Sequence, residues 1–175
     1  MSNSIRQQTL NNIAARVGVI LLSHGHKMTT AESCTGGWIA QTMTAVPGSS
    51  AWFDAGFVTY SNAMKHRILG VPLVHLQGPQ APGAVSEQTV LAMACGALKL
   101  AEADWSVATS GIAGPGGAVP GKPVGLVWIA WASARGRSAQ AFNFAGSREQ
   151  VRRQSVLAAL QGLLLRVQNP GDFSQ

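Results

Sequence analysis

Three short segments carry residue types that can do chemistry. The first is Thr30-Ala31-Glu32-Ser33-Cys34-Thr35-Gly36-Gly37-Trp38. It lies between a candidate strand and a candidate helix, the place where open α/β sheets bind ligands. A serine at a helix mouth has backbone N–H groups and the positive end of the helix dipole beside it. These can hold a phosphate, or stabilise an oxyanion if the serine attacks a carbonyl. Gly36 and Gly37 allow a substrate to come close. The competing reading is structural: Ser33 or Thr35 caps the helix and the glycines pack. Cys34 at the same helix mouth can be an activated thiol or a small buried hydrophobe. No Cys–His arrangement accompanies it. The G-x-S-x-G nucleophile elbow is absent.

The second segment runs from Phe57 through Val58-Thr59-Tyr60-Ser61-Asn62-Ala63-Met64 to Lys65. It offers a phenol at a strand end and an amine about one helical turn later. A desolvated lysine can take the proton of a serine hydroxyl and make it nucleophilic. The alternative is a solvated lysine on an exposed helix face. His66 would point roughly 100° away from Lys65 around a helix and so would not share its site. The third segment is Thr109-Ser110-Gly111-Ile112-Ala113-Gly114-Pro115-Gly116-Gly117, followed by Gly121-Lys122-Pro123-Val124-Gly125. Glycines after a strand suit an anion-binding backbone nest. Neither the phosphate-loop pattern nor G-x-G-x-x-G is present, and a flexible surface loop is the competing reading. Metal chemistry is not expected. His24 and His26 are two apart with no acidic residue nearby in sequence, and His66 and His75 are isolated.

The elements that must position these groups follow from periodicity. Leu10 to Ser23 carries Ile13, Val17, Ile20 and Leu21 on one stripe and predicts an amphipathic helix ending near Gly25. Lys27–Ala31 predicts a short strand, Thr35–Ala45 a helix, and Gly56–Tyr60 a strand covered on both faces. Ser61–Leu69 predicts a short helix stopped at Gly70. Ser86–Glu102 predicts a helix capped by Ser86, with Val90, Met93, Ala94 and Ala97 buried. Trp105–Ser110 and Val124–Ala134 predict strands, Ser138–Phe144 a half-exposed strand, and Arg148–Val167 a long closing helix. Only the last two strands read as a hairpin. The fold class is therefore α/β, a three-layer α/β/α sandwich with a mixed, mostly parallel sheet.

Composition agrees. The chain has 175 residues, enough for one domain over residues 1–175 with a sizeable core. Apolar residues make up 46% and charged residues 11%, against roughly 25% charged in typical globular proteins. That excludes a disordered or coiled-coil chain. Two cysteines, Cys34 and Cys95, cannot build a disulfide framework and suggest a reducing, cytoplasmic setting. No signal peptide or membrane span is read. The formal charge of +6 favours anionic partners. The basic residues are scattered apart from Arg148, Arg152 and Arg153, so no nucleic-acid tail is read. Trp52, Trp105, Trp128 and Trp131 lie in apolar segments and are expected mostly in the core.

The motifs occur in a definite order: Thr30-Ala-Glu-Ser-Cys-Thr-Gly-Gly37, Gly48-Ser-Ser-Ala-Trp-Phe53, Gly56-Phe-Val-Thr-Tyr-Ser-Asn62, Gly83-Ala-Val-Ser-Glu87, Ser110-Gly-Ile-Ala-Gly-Pro-Gly-Gly117 and Lys122-Pro-Val-Gly125. The chain resembles the CinA C-terminal domain family of nicotinamide-nucleotide amidohydrolases from about residue 10 to residue 168. The resemblance implies the stand-alone form, without the additional N-terminal domain of full CinA proteins. It implies hydrolysis of the carboxamide of nicotinamide mononucleotide to nicotinate mononucleotide and ammonia, in pyridine-nucleotide salvage. It implies Ser33 as nucleophile, Lys65 as base and Tyr60 as its organiser. Cys34, Thr35, Gly36, Thr109, Gly111 and Arg148 would bind substrate, with Arg148 and Arg152 forming a cationic pair one turn apart. No cofactor, metal, nucleic acid or membrane is implied, and a homo-oligomer is admitted. The residue chemistry fits this: amide hydrolysis needs a nucleophile, a proton acceptor that can later protonate ammonia, and an oxyanion hole. Backbone N–H groups near Cys34 to Gly36 would supply the last. A non-catalytic nucleotide-binding or regulatory module is the alternative.

Overall fold

Every strand that reaches the candidate site ends at one edge of a single sheet. The computed structural model describes residues 6–170 and Phe173. The expected domain span of 1–175 extends at both ends outside the described residues. Helix α1 (Gln7–His24) buries Leu10, Ile13, Ala14, Val17 and Leu21, the stripe that the apolar spacing predicts. Gly25, at φ 64°, stops it in the left-handed conformation. Strand β1 (Met28–Glu32) is buried throughout. Helix α2 (Trp38–Thr44) leads to strand β2 (Phe53–Val58), helix α3 (Asn62–Leu69), the short helix α4 (Leu73–Leu76) and helix α5 (Glu87–Leu100). Strands β3 (Trp105–Gly111), β4 (Leu126–Ser133) and β5 (Gly136–Asn143) complete the sheet before helix α6 (Arg148–Gln168).

The sheet order is β2-β1-β3-β4-β5. β1 pairs in parallel with β2 and β3, while β4 is antiparallel to both β3 and β5. Four strands thus run one way and β4 runs against them. The antiparallel β3–β4 step was not expected, because the long glycine loop between them hides the return. β2 also departs from expectation. It is an edge strand with alternating exposure, and Val58 is 52% exposed. Adjacent Phe57 and Val58 therefore mark opposite faces of a half-covered strand. The four-residue α4 carries no periodic signal and was not expected.

The two faces of the sheet pack differently. One carries large residues such as Met28, Trp105, Val107, Ile129 and Trp131 against α1, α2 and α6. The other is lined by Ala31, Ala108, Ala130, Ala132 and Ala139, facing Val90, Met93, Ala94 and Ala97 of α5. Small side chains let α5 lie close, and the Ser106 hydroxyl reaches its Ala94 carbonyl at 2.8 Å. Trp52, Trp105 and Trp131 are buried as expected, and Trp128 is partly covered. No helix among the described residues is long and apolar enough to cross a membrane.

The crossover β1-α2-β2 uses one face of the sheet. The return from β2 through α5 to β3 uses the other. The connections after β1 and β3 therefore part company at the carboxyl edge, leaving a crevice between them.

Candidate active site

The end of β1 decides which side chain faces which layer. Successive residues of a strand alternate between faces. Glu32 turns toward α2, and its carboxylate accepts N–H groups from Gly37 (3.0 Å), Ile39 (3.0 Å) and Ala40 (2.8 Å). The positive mouth of α2 is thus filled by an internal anion. Neither Ser33 nor Thr35 caps this helix, and it offers no open phosphate cradle. Ser33, one residue on, turns to the opposite layer, as the alternation predicts.

There it meets Lys65. Ser61 starts α3, its hydroxyl accepting the Met64 N–H at 3.2 Å. That start aims Lys65, about one turn further, back under the sheet edge. Lys65 is 1% exposed. Its Nζ lies 2.9 Å from Ser33 Oγ, 2.8 Å from Thr59 O and 3.1 Å from Tyr60 O. As an ammonium it donates to all three oxygens. As a neutral amine it keeps two donors for the two carbonyls and turns its lone pair to the serine hydroxyl. Burial lowers its pKa from 10.5 to about 8, because the charged form loses hydration. Among the described residues Lys65 makes no ion pair, the salt bridges being Lys27–Asp54 and Arg153–Glu149. His66 turns away, its Nδ1 2.9 Å from Val71 O.

Cys34 stands next to this pair but differs in chemistry. Its thiol is buried, and burial pushes its pKa up to about 12. It is therefore a neutral thiol at any physiological pH, not an activated one.

The other expected site residues divide. Tyr60 was expected to organise Lys65 through its phenol. Tyr60 instead is 62% exposed, and its phenol accepts from Arg148 Nη2 at 3.0 Å. Only the main-chain carbonyl of Tyr60 meets the lysine, and the strand ends at Val58, two residues earlier than expected. Thr35 and Thr109, expected to face a ligand, are buried and spend their hydroxyls on each other at 2.8 Å. Thr109 adds its carbonyl, which accepts the Ser33 N–H at 3.0 Å. Gly111 was expected in an anion nest. It is the last residue of β3, where a Cβ would stand 2.7 Å from Leu126 O. Close strand approach accounts for the glycine there. Gly36 is exposed and left-handed, at φ 63°.

Helix α6 forms the opposite wall. Ser147 caps it in a capping box with Gln150. Arg148 bridges the Tyr60 phenol and Gly114 O, the latter at 2.8 Å. Arg152 does not extend a cationic pair into solvent. Its guanidinium bends onto the turn after β1, with Nε 3.1 Å from Cys34 O and Nη2 2.8 Å from Thr35 O. Sequence reasoning missed this contact and the Glu32 cap; the spacing of Arg148 and Arg152 put both on one face without telling what that face meets. An open cleft beside the turn is lined by Gly36, Gly37, Trp38, Arg148, Arg152 and Arg153 among others. Among the described residues no three His, Cys, Asp or Glu side chains gather to hold a metal ion.

The fold and site together define a three-layer α/β protein with a buried serine–lysine pair at the carboxyl edge of its sheet. The profile of the CinA C-terminal domain matches residues 10–167, and the chain belongs to that family. It is 54% identical over 155 residues to "Nicotinamide-nucleotide amidohydrolase PncC" of Pseudomonas putida, spanning 89% of this chain and 95% of that protein. It is 51% identical over 155 residues to the protein of the same name from Escherichia coli K12, spanning 88% and 92%. A crystal structure of the competence/damage-inducible protein CihA from Agrobacterium tumefaciens superposes with a TM-score of 0.87 at 40% identity, over 97% of this chain and all of that one.

Proposed function

We propose that this protein is a nicotinamide-nucleotide amidohydrolase, converting nicotinamide mononucleotide to nicotinate mononucleotide and ammonia by serine–lysine catalysis. One observation carries the mechanism: a buried amine, freed of counter-ions, 2.9 Å from a serine hydroxyl. The amine of Lys65 takes the Ser33 hydroxyl proton as Oγ bonds to the carboxamide carbon. The carbonyl oxygen becomes an oxyanion, held by backbone N–H groups of the turn after Ser33. When it collapses, the C–N bond breaks and Lys65 returns its proton to the leaving nitrogen, releasing ammonia. Water then attacks the nicotinoyl ester, giving its proton to Lys65. Ser33 leaves, is reprotonated by Lys65, and the carboxylate product departs.

Arg148 stands at the exposed rim, where it can pair with the substrate phosphate. The positive charge of the chain is accounted for by an anionic small molecule, with no nucleic acid required. A salvage reaction of this kind belongs in the cytoplasm. The experiment is direct: purified protein, with a chelator present, is given the mononucleotide and ammonia is measured. Release by the wild type and loss by at least about a thousandfold in Ser33→Ala supports the reading. Tight nucleotide binding without ammonia release would make the protein a binding module instead.

A further inference from the structure

Two carbonyls of the turn that follows Ser33 are held by one side chain from the far end of the chain. Arg152 of α6 fixes two successive carbonyls, those of Cys34 and Thr35, with two N–H groups of one planar guanidinium. The guanidinium is itself seated. It lies 5.3 Å from the centroid of the Trp38 ring. Gly36 leaves room for it, since a Cβ there would stand 3.3 Å from Nη2. The Cys34–Thr35 peptide is trans, and in a trans peptide the C=O and N–H point to opposite sides. Drawing the Cys34 carbonyl toward α6 therefore turns the Thr35 N–H away from α6.

The neighbouring amides are already spent. Ser33 N–H donates to Thr109 O and Gly36 N–H to Ser33 O. Those of Gly37, Ile39 and Ala40 serve Glu32. Among the described residues, the N–H groups of Cys34 and Thr35 meet no carbonyl or carboxylate. They are the donors left beside the Ser33 hydroxyl.

We infer that Arg152 is the positioning residue of the oxyanion hole: by clamping the Cys34 carbonyl it aims the Thr35 N–H, which shares that peptide plane, at the oxygen that becomes negative when Ser33 attacks. The inference rests on the amidase reading and deepens it. The guanidinium touches no reacting atom. It acts through the Cys34–Thr35 peptide, fixing its orientation and polarising it so that the Thr35 N–H donates more strongly.

The test uses Arg152→Ala and Arg152→Lys in the full chain, with cooperative thermal unfolding above the assay temperature as the check on folding. With nicotinamide mononucleotide, Arg152→Ala should lose about 100-fold or more in kcat, the scale of a lost oxyanion donor, with KM within about threefold. Its kcat/KM should keep the inflection near pH 8 that belongs to Lys65. Added guanidinium at non-denaturing concentration should restore part of the loss, and Arg152→Lys, which can hold one carbonyl, should fall between. A second readout does not need the nucleotide. A small fluorophosphonate phosphonylates Ser33 when Oγ bonds to phosphorus and fluoride leaves, and the phosphoryl oxygen then occupies the oxyanion hole. Arg152→Ala should slow this labelling about as much as it slows turnover, with Ser33→Ala as the blank. Should the wild type be labelled but release no ammonia, slowed labelling in Arg152→Ala would uphold the clamp while the substrate assignment fails. Turnover and labelling within threefold of wild type, a displaced pH inflection, or a wild type that is neither active nor labelled at Ser33 would overturn the inference.

Discussion

Replacing Lys65 by arginine separates charge from proton transfer. Arginine keeps a cation near Ser33 but stays protonated at every accessible pH. The native amine behaves differently because burial brings its pKa to about 8. At pH 7 an ordinary lysine of pKa 10.5 is neutral in about 0.03% of molecules, and one of pKa 8 in about 9%. Burial at the end of β2 therefore raises the reactive fraction about 300-fold, equivalent to about 3 kcal/mol. Losing the base altogether should cost at least about a thousandfold in kcat, within the range for general base catalysis. KM should change little, since Lys65 meets the serine and two carbonyls and not the rim where the phosphate would lie. The assay is steady-state ammonia release between pH 6 and 10. Wild-type kcat/KM should rise tenfold per pH unit and level off near pH 8, because the deprotonated amine is the active form. Lys65→Arg and Lys65→Ala should be flat and equally low. If Lys65→Arg keeps more than a tenth of wild-type turnover, or the wild-type profile is flat from pH 6.5 to 9, the amine is not the base.

Cys34→Ala should keep turnover within about fivefold of wild type, because a thiol with pKa near 12 contributes no thiolate; ammonia release alongside Ser33→Ala decides this. Arg148→Ala should raise KM for the mononucleotide at least about tenfold and leave KM for the riboside, which lacks the phosphate, within about threefold. Tyr60→Phe should leave kcat within about threefold, since its carbonyl stays on Lys65. It should raise KM up to about tenfold by releasing Arg148. Burial of Lys65 also has a stability signature. Its folded pKa lies below its unfolded one, so the unfolded chain binds more protons between pH 8 and 10.5, and stability rises with pH across that window. Urea unfolding of wild type and Lys65→Met should show the wild type gaining up to about 3 kcal/mol relative to the variant from pH 8 to 10.5. Parallel pH dependences would refute the buried-amine account.

Much of this arrangement is written locally. The stripe of α1, the serine caps of α3 and α5 and the capping box of α6 depend on near neighbours, and each element lies where its pattern put it. Strand alternation sufficed to send Glu32 and Ser33 to opposite layers. What could not be read depends on partners far along the chain. The edge position of β2 is set by the order in which strands dock. The function of Glu32 as a helix cap needs the turn geometry of residues 33–37. Tyr60 supplies a phenol and a carbonyl, and sequence alone did not tell which of them meets the lysine. Arg152 is one of several surface-like arginines until α6 packs across the turn. The glycine loop after β3 looked like an anion nest because glycine also serves close strand packing, and a sequence pattern does not distinguish the two uses.

The bonds from Arg152 to Cys34 and Thr35 join positions 118 and 117 residues apart. Loops of that span close late and at an entropic cost that only full packing offsets. During synthesis, Ser33 and Lys65 emerge long before α6, the last helix among the described residues. A nascent chain in which β1, β2 and α3 have already paired would hold nucleophile and base while its catalytic turn stayed unclamped. With Arg152 as the clamp, docking of α6 becomes the event that arms the site, so half-folded forms would be silent.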